Sequence, residues 1–403
     1  MRQTRKHLSI LLASVCLVVC TAPAARAAEE GPIAGENVHL RGSLDNCRIR
    51  FERDKQGHVA FIGGSITEMD GYRPMVCRWL HERFPQTRFT FVQAGIASTC
   101  STTGAFRLRA DVLDKGPIDL LFIEFAVNDD QDAAHSRQEC IRGMEGIVRQ
   151  CLASNPRMDL VISYFVNPEM LATLRAGKTP LTIAAHEEVA GHYAVSTINL
   201  AREVAQRIAS GRLTWDQYGG VHPAPLGNAI CARMIEGLFG QAWSAPAAAG
   251  AETVAHPLPQ PLDPLNYERG RFIDPARAVV RGGWKLGVPD WSKLQGARRS
   301  RFTGIPLLCA DRPGAVLSLE FRGTAVGAYV VAGPDAGVLE ARLDGGPPRE
   351  VDLYHRFSAG LHYPRTVMFA AELPPGRHTL TLGVSEKTRS QGHAARIVEF
   401  VAN

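Results

Sequence analysis

Between residues 58 and 240, short apolar runs alternate with stretches of helical spacing, and this alternation restricts the fold more than any other feature of the chain. Strand-like runs lie at Val59–Ile62, Phe89–Val92, Leu120–Phe125 and Leu160–Phe165, and helical patterns at Tyr72–Phe84, Gly104–Leu113, Ser136–Ala153 and Ile183–Tyr193. A shorter strand is expected near Ser196–Asn199, followed by helices over Leu200–Ser210 and Leu226–Ala242. Such alternation predicts an α/β domain over residues 58–243, with a parallel sheet covered by helices on both faces. In sheets of this kind, sites collect past the carboxyl ends of the strands.

Three segments follow such a strand end or lie in a late loop: Gly63-Gly64-Ser65-Ile66-Thr67, Ala126-Val127-Asn128-Asp129 and Val221-His222-Pro223. They offer a nucleophile, a side-chain amide donor and a base. A serine hydroxyl is a weak nucleophile, so it requires a base within hydrogen-bond reach and donors for the charge that develops on the attacked carbonyl oxygen. With Gly95 in Gln93-Ala94-Gly95-Ile96, these segments stand in the order of the four sequence blocks of the SGNH (GDSL-like) hydrolases, which the chain resembles over roughly residues 58 to 240. The resemblance implies a three-layer α/β/α domain and an esterase in which Ser65 attacks and His222 takes its proton. It also implies an oxyanion hole made by the backbone N–H groups of Ser65 and Gly95 with the Asn128 amide, and no metal or organic cofactor.

Four positions depart from the family pattern, two of them mildly: Gln93 stands where asparagine is usual and Ala126 where glycine is commoner. Gly64 stands where aspartate is usual, a change expected to leave the serine turn untouched, and Gly219 stands three residues before His222, where the family places its triad aspartate. Either Asp216 orients the imidazole from further upstream, or a loop carbonyl does so and the pair works as a dyad. Glu124, a carboxylate inside a buried strand, is a further candidate partner for His222. Asp129, Asp130 and Asp132 are expected as a solvated helix N-terminus rather than a calcium site. Arg107 and Arg109 are expected to pair at the surface with Asp111 or Asp114.

Residues 1–27 carry Arg2, Arg5 and Lys6, an apolar stretch from Leu8 to Cys20 and then Ala25-Arg26-Ala27, the pattern of a cleaved export signal. A periplasmic or extracellular protein without a membrane span is therefore expected, with residues 28–57 as an extension ahead of the catalytic domain. Of nine cysteines, seven lie beyond the signal; buried free thiols are expected for several of them. A net charge of +5 with intermixed acids marks no nucleic-acid surface. Residues 244–264, rich in alanine and proline, read as a linker. Over 265–403, short apolar runs such as Ala315–Phe321, Ala325–Val331, Leu339–Leu343 and His378–Val384 are separated by glycine and proline turns, which predicts an all-β sandwich. By family analogy, the whole is expected to hydrolyse short-acyl esters, acetyl first, on a small-molecule or polysaccharide carbohydrate substrate. A lysophospholipase or thioesterase, and a carbohydrate-binding protein without turnover, are the alternatives.

Overall fold

The computed structural model describes residue 33 and residues 35–246 and 250–403. The export signal expected over residues 1–27 lies outside them. From residue 33 onward the chain is one compact unit.

Its first part is built on a six-stranded sheet: β1 (Val38–His39), β2 (Gln56–Gly63), β3 (Arg88–Gly95), β4 (Leu120–Glu124), β5 (Asp159–Ser163) and β6 (Ser196–Ile198), in spatial order β1-β6-β5-β4-β2-β3. All neighbours are parallel except β1, which pairs antiparallel with β6. The expected strands are all present, and β1 is a further edge strand supplied by the stretch read as an extension. β4 and β5 are buried at every position, as central strands covered on both faces must be. The covering helices are α1 (Asp45–Glu52), α2 (Ser65–Glu68), α3 (Tyr72–Arg83), α4 (Ser101–Asp111), α5 (Ala126–Gln131), α6 (Arg137–Ser154), α7 (Pro168–Arg175), α8 (Leu181–His192), α9 (Leu200–Ala209), α10 (Trp215–Tyr218) and α11 (Pro225–Ala242). The short α2 and α5 follow directly on β2 and β4, so both start at the carboxyl edge of the sheet.

The Ala/Pro-rich segment forms no helix or strand over 251–261, yet it is tied down. The Val254 N–H donates to Asn46 Oδ1 (2.8 Å), His256 Nε2 lies 2.8 Å from Asp159 Oδ1, and the Leu262 and Asp263 N–H groups donate to Glu145 (2.6 and 2.9 Å). Polar groups of the first domain, the Glu145 and Asp159 carboxylates and the Asn46 amide, thus take linker backbone N–H groups and the His256 ring as partners, which is how a segment without a core acquires a fixed path.

The second part is all β and antiparallel. One sheet runs β15 (Tyr363–Ala370), β12 (Val326–Ala332), β17 (Ala395–Ala402), β10 (Leu307–Ala310), β9 (Lys285–Gly287), with β7 (Arg271–Ile273) also on β17. The other runs β14 (Arg349–Asp352), β13 (Val338–Leu343), β16 (Gly376–Val384), β11 (Val316–Gly323), β8 (Val279–Gly282). β12 is buried along its whole length because it is covered twice. Ala328, Val330 and Ala332 face the sandwich interior, whereas Tyr329 and Val331 join the core of the first domain, together with Leu307 and Val401. The two domains therefore share packed apolar surface. Among the described residues, no helix is long and apolar enough to cross a membrane, and the seven described cysteines are all unpaired.

Candidate active site

Ser65 opens α2 immediately after Gly63 and Gly64 end β2. Because Ser65 is the first helical residue, its N–H has no intrahelical partner. His222 sits in the loop between α10 and α11, exposed, with Nε2 2.7 Å from Ser65 Oγ. Two residues 157 positions apart are thus at hydrogen-bond distance.

Gly95 and Asn128, the other residues expected in the oxyanion hole, are placed by the strand ends beside this pair. Gly95 ends β3 opposite Gly63 in the β2–β3 register. Asn128 lies in the first turn of α5 and is only 2% exposed; its Nδ2 donates to Asp132 Oδ2 at 2.7 Å. Because a carboxylate only accepts, this bond fixes the amide orientation, and Asn128 Oδ1 is left against Gly64 without a partner. A Cβ at residue 64 would fall 1.9 Å from that oxygen. The glycine in place of the family's aspartate is therefore not neutral: the Asn128 amide fills the room that a side chain there would take.

Asp216 is not brought to His222. It is exposed on α10, whose capping box joins Thr214 and Gln217, and it makes no hydrogen bond or ion pair among the described residues. Gly219, at the family's acid position, has φ +105°, and a Cβ there would lie 2.0 Å from the Ala224 N–H nitrogen. That N–H donates to Tyr218 O (2.8 Å), closing a turn too tight for any side chain at 219. Glu124 does not reach His222 either. Its Oε2 accepts from Thr67 Oγ1 (3.2 Å) and the Gly64 N–H (3.4 Å), beneath the serine turn. Burial pushes its carboxyl up to about 7.

The acidic cluster is not the solvated helix end that was expected. Asp129 is fully buried and accepts from the Ser101 N–H (2.7 Å) and Ser101 Oγ (2.6 Å), with His186 Nε2 at 2.9 Å. Burial would raise its carboxyl, but His135 and His186 outweigh burial and hold it low. Asp130 accepts from Asn167 Nδ2 (2.7 Å), and Asp132 from Asn128 and Tyr363. Arg107 likewise is no surface residue. It is fully buried, donating to Ala94 O (2.6 Å), Gly63 O (3.0 Å) and Asp111 (2.9 Å), so it clamps the ends of β2 and β3 that carry Ser65 and Gly95. Arg109 faces Asp114 at the surface. The one-turn spacing of Arg107 and Asp111 was visible in the sequence; the two carbonyls were not.

Among the described residues, two groups hold donor atoms close enough together to share a metal ion: Cys100, Asp129 and His135, and Asp129, Cys140 and His186. Asp129, common to both, already spends its oxygens on Ser101 and His186, so the groups act as a hydrogen-bonded brace between α4, α5 and α8.

Fold and site define a class: an α/β/α hydrolase domain with a serine–histidine pair at the carboxyl edge of its sheet. Residues 61–230 match the GDSL-like lipase/acylhydrolase family. This domain belongs to that family, and the chain is a carboxylic ester hydrolase by class. Two crystal structures of a two-domain esterase (CEX) active on acetylated mannans share the architecture at 22% and 21% identity, with TM-scores of 0.75 and 0.74; the second holds mannopentaose. Each similarity covers 92% of this chain and 98% of the other, so it includes both domains. No curated protein sequence matches the chain.

Proposed function

We propose that this protein is an exported esterase that removes short acyl groups, acetyl first, from carbohydrate hydroxyls, with Ser65 and His222 working as a dyad. The observation that carries the proposal is the 2.7 Å approach of His222 Nε2 to Ser65 Oγ. Ser65 Oγ attacks the ester carbonyl as His222 Nε2 accepts its proton. The tetrahedral oxyanion is met by the Ser65 and Gly95 N–H groups and the remaining N–H of the Asn128 amide. Collapse passes the proton from His222 to the departing sugar oxygen and leaves an acyl-serine. Water, deprotonated by His222, then attacks the acyl carbon and releases the carboxylic acid and free Ser65. The half-buried serine beside an exposed histidine suits a small acyl group on a large polar chain. The likeness to an esterase active on acetylated mannans supports the carbohydrate assignment, and the amino-terminal pattern supports export.

The test is turnover of 4-nitrophenyl acetate through butyrate and of acetylated mannan oligosaccharides, together with fluorophosphonate labelling. Label on the parent protein and none on Ser65→Ala is the expected result. No turnover on any of these esters with no label on Ser65 would remove the esterase reading.

A further inference from the structure

All three elements of the proposed oxyanion hole are held from the second domain. α2, which starts at Ser65, ends at Glu68; Glu68 Oε2 accepts from the Ala97 N–H (3.0 Å), and Oε1 meets Arg301 Nη2 at 3.2 Å. The loop after Gly95 is gripped by Arg299, which donates from Nη1 to Ala97 O and from Nη2 to Ser98 Oγ (2.9 Å). Asn128 is reached through one intermediary: its amide donates to Asp132 Oδ2, and Tyr363 OH donates to Asp132 Oδ1 at 2.7 Å. Arg299 and Arg301 flank the start of α12 (Ser300–Thr303), and Tyr363 begins β15, so all three belong to the sandwich region.

Neither inner contact has a substitute in the first domain. Tyr363 is the only partner of Asp132 Oδ1, and Arg299 the only partner of Ser98 Oγ, among the described residues. Ser98 has φ +70°, a left-handed conformation that a residue with a side chain adopts only when its surroundings impose it. Tyr363 is itself immobilised, 2% exposed and stacked on His355 with ring centroids 4.5 Å apart. The Arg301 pair is more exposed and contributes least.

We infer that the β-sandwich sets the shape of the oxyanion hole, with Tyr363 and Arg299 as positioning residues that act through Asp132 and the Ala97-Ser98 turn. The inference rests on the assignment of Ser65, Gly95 and Asn128 given above. A preorganised donor is effective only within a few tenths of an ångström of the developing charge, and a hydrogen bond from a rigid second domain supplies that constraint.

The test uses the full chain. Tyr363→Phe keeps the ring and removes only the donor. On 4-nitrophenyl acetate its kcat should fall about 10-fold, with KM within about twofold, since the lost positioning serves the transition state. Added to Asn128→Ala, it should cost nothing further, because its effect passes through that amide. A full, additive effect in that background, or an unchanged kcat in the single variant, overturns the inference. Hydrogen exchange decides independently of turnover. Segment 126–132 should exchange faster in Tyr363→Phe and segment 93–101 in Arg299→Ala, with the sheet core unchanged; unchanged exchange in both segments also overturns it. If the parent protein hydrolyses no ester but these segments loosen, the esterase reading has failed and the grip has not.

Discussion

At the scale of single residues, the unusual feature is a histidine without a carboxylate. Asp216 lies six positions upstream on an exposed helical turn, and Gly219 fills the expected position with a backbone no side chain can share. In a triad the acid fixes the imidazole tautomer, and its loss costs roughly 10⁴-fold in kcat. Here Asp216→Asn should leave kcat/KM within about threefold of the parent, because no bond to His222 is lost. His222→Ala and Ser65→Ala should abolish turnover above background. A loss in Asp216→Asn comparable to that in His222→Ala would show that the loop rearranges to a triad in the working enzyme.

At the scale of elements, the site depends on how β4 meets the serine turn. Glu124 closes β4 and is the buried acceptor for Gly64 and for Thr67 in α2. Tyr72, Tyr218, Cys231, Asp129 and Asp132 face it from the surrounding elements, and none is a cation. Burial dominates, so the folded-state carboxyl titrates near 7 against an ordinary 4.5. The folded protein therefore binds this proton more tightly than the unfolded chain. Its stabilising contribution is complete below about 4.5 and is lost as pH rises through 7. At 1.36 kcal/mol per pH unit the swing is about 3 kcal/mol. Glu124→Gln keeps an acceptor without the proton, so relative to the parent it should gain stability between pH 5 and pH 8, measured by urea unfolding at both values. A parent–variant difference that does not change with pH would mean that Glu124 stays ionised throughout.

At the scale of the whole molecule, the two domains are joined by core as well as by hydrogen bonds. Leu307, Tyr329, Val331 and Val401 point from the sandwich into the apolar cluster that also contains Phe61 and Leu121 of the first sheet. Unfolding should therefore be a single transition, with ester hydrolysis and far-UV ellipticity lost together. Leu307 is fully buried, and Leu307→Ala should cost about 2–5 kcal/mol, as core truncations of leucine do. That cost should lower the common midpoint without splitting it. Two separate transitions, with activity following only one, would show that the domains are energetically independent.

Much of this was legible before folding, where the information is local. Continuous apolar runs and period-3.6 patterns placed the strands and main helices of the first domain, since a central strand must bury both faces and a helix one stripe whatever its neighbours are. Ser65, Gly95 and Asn128 could be singled out in the sequence because motif and strand end coincide, and His222 by its motif alone, since it lies in a loop between two helices. The rest was decided by tertiary structure, because it concerns which polar groups end up without water. Asp129 reads as a solvated acid in sequence, but desolvation forces it onto Ser101 and His186. Arg107 reads as a surface cation but is spent on two strand-end carbonyls. Gly64 reads as a neutral replacement until the Asn128 amide occupies its space. The second domain's hold on the oxyanion loops depends on residues 200 and more positions away, and no local pattern records a partner at that distance.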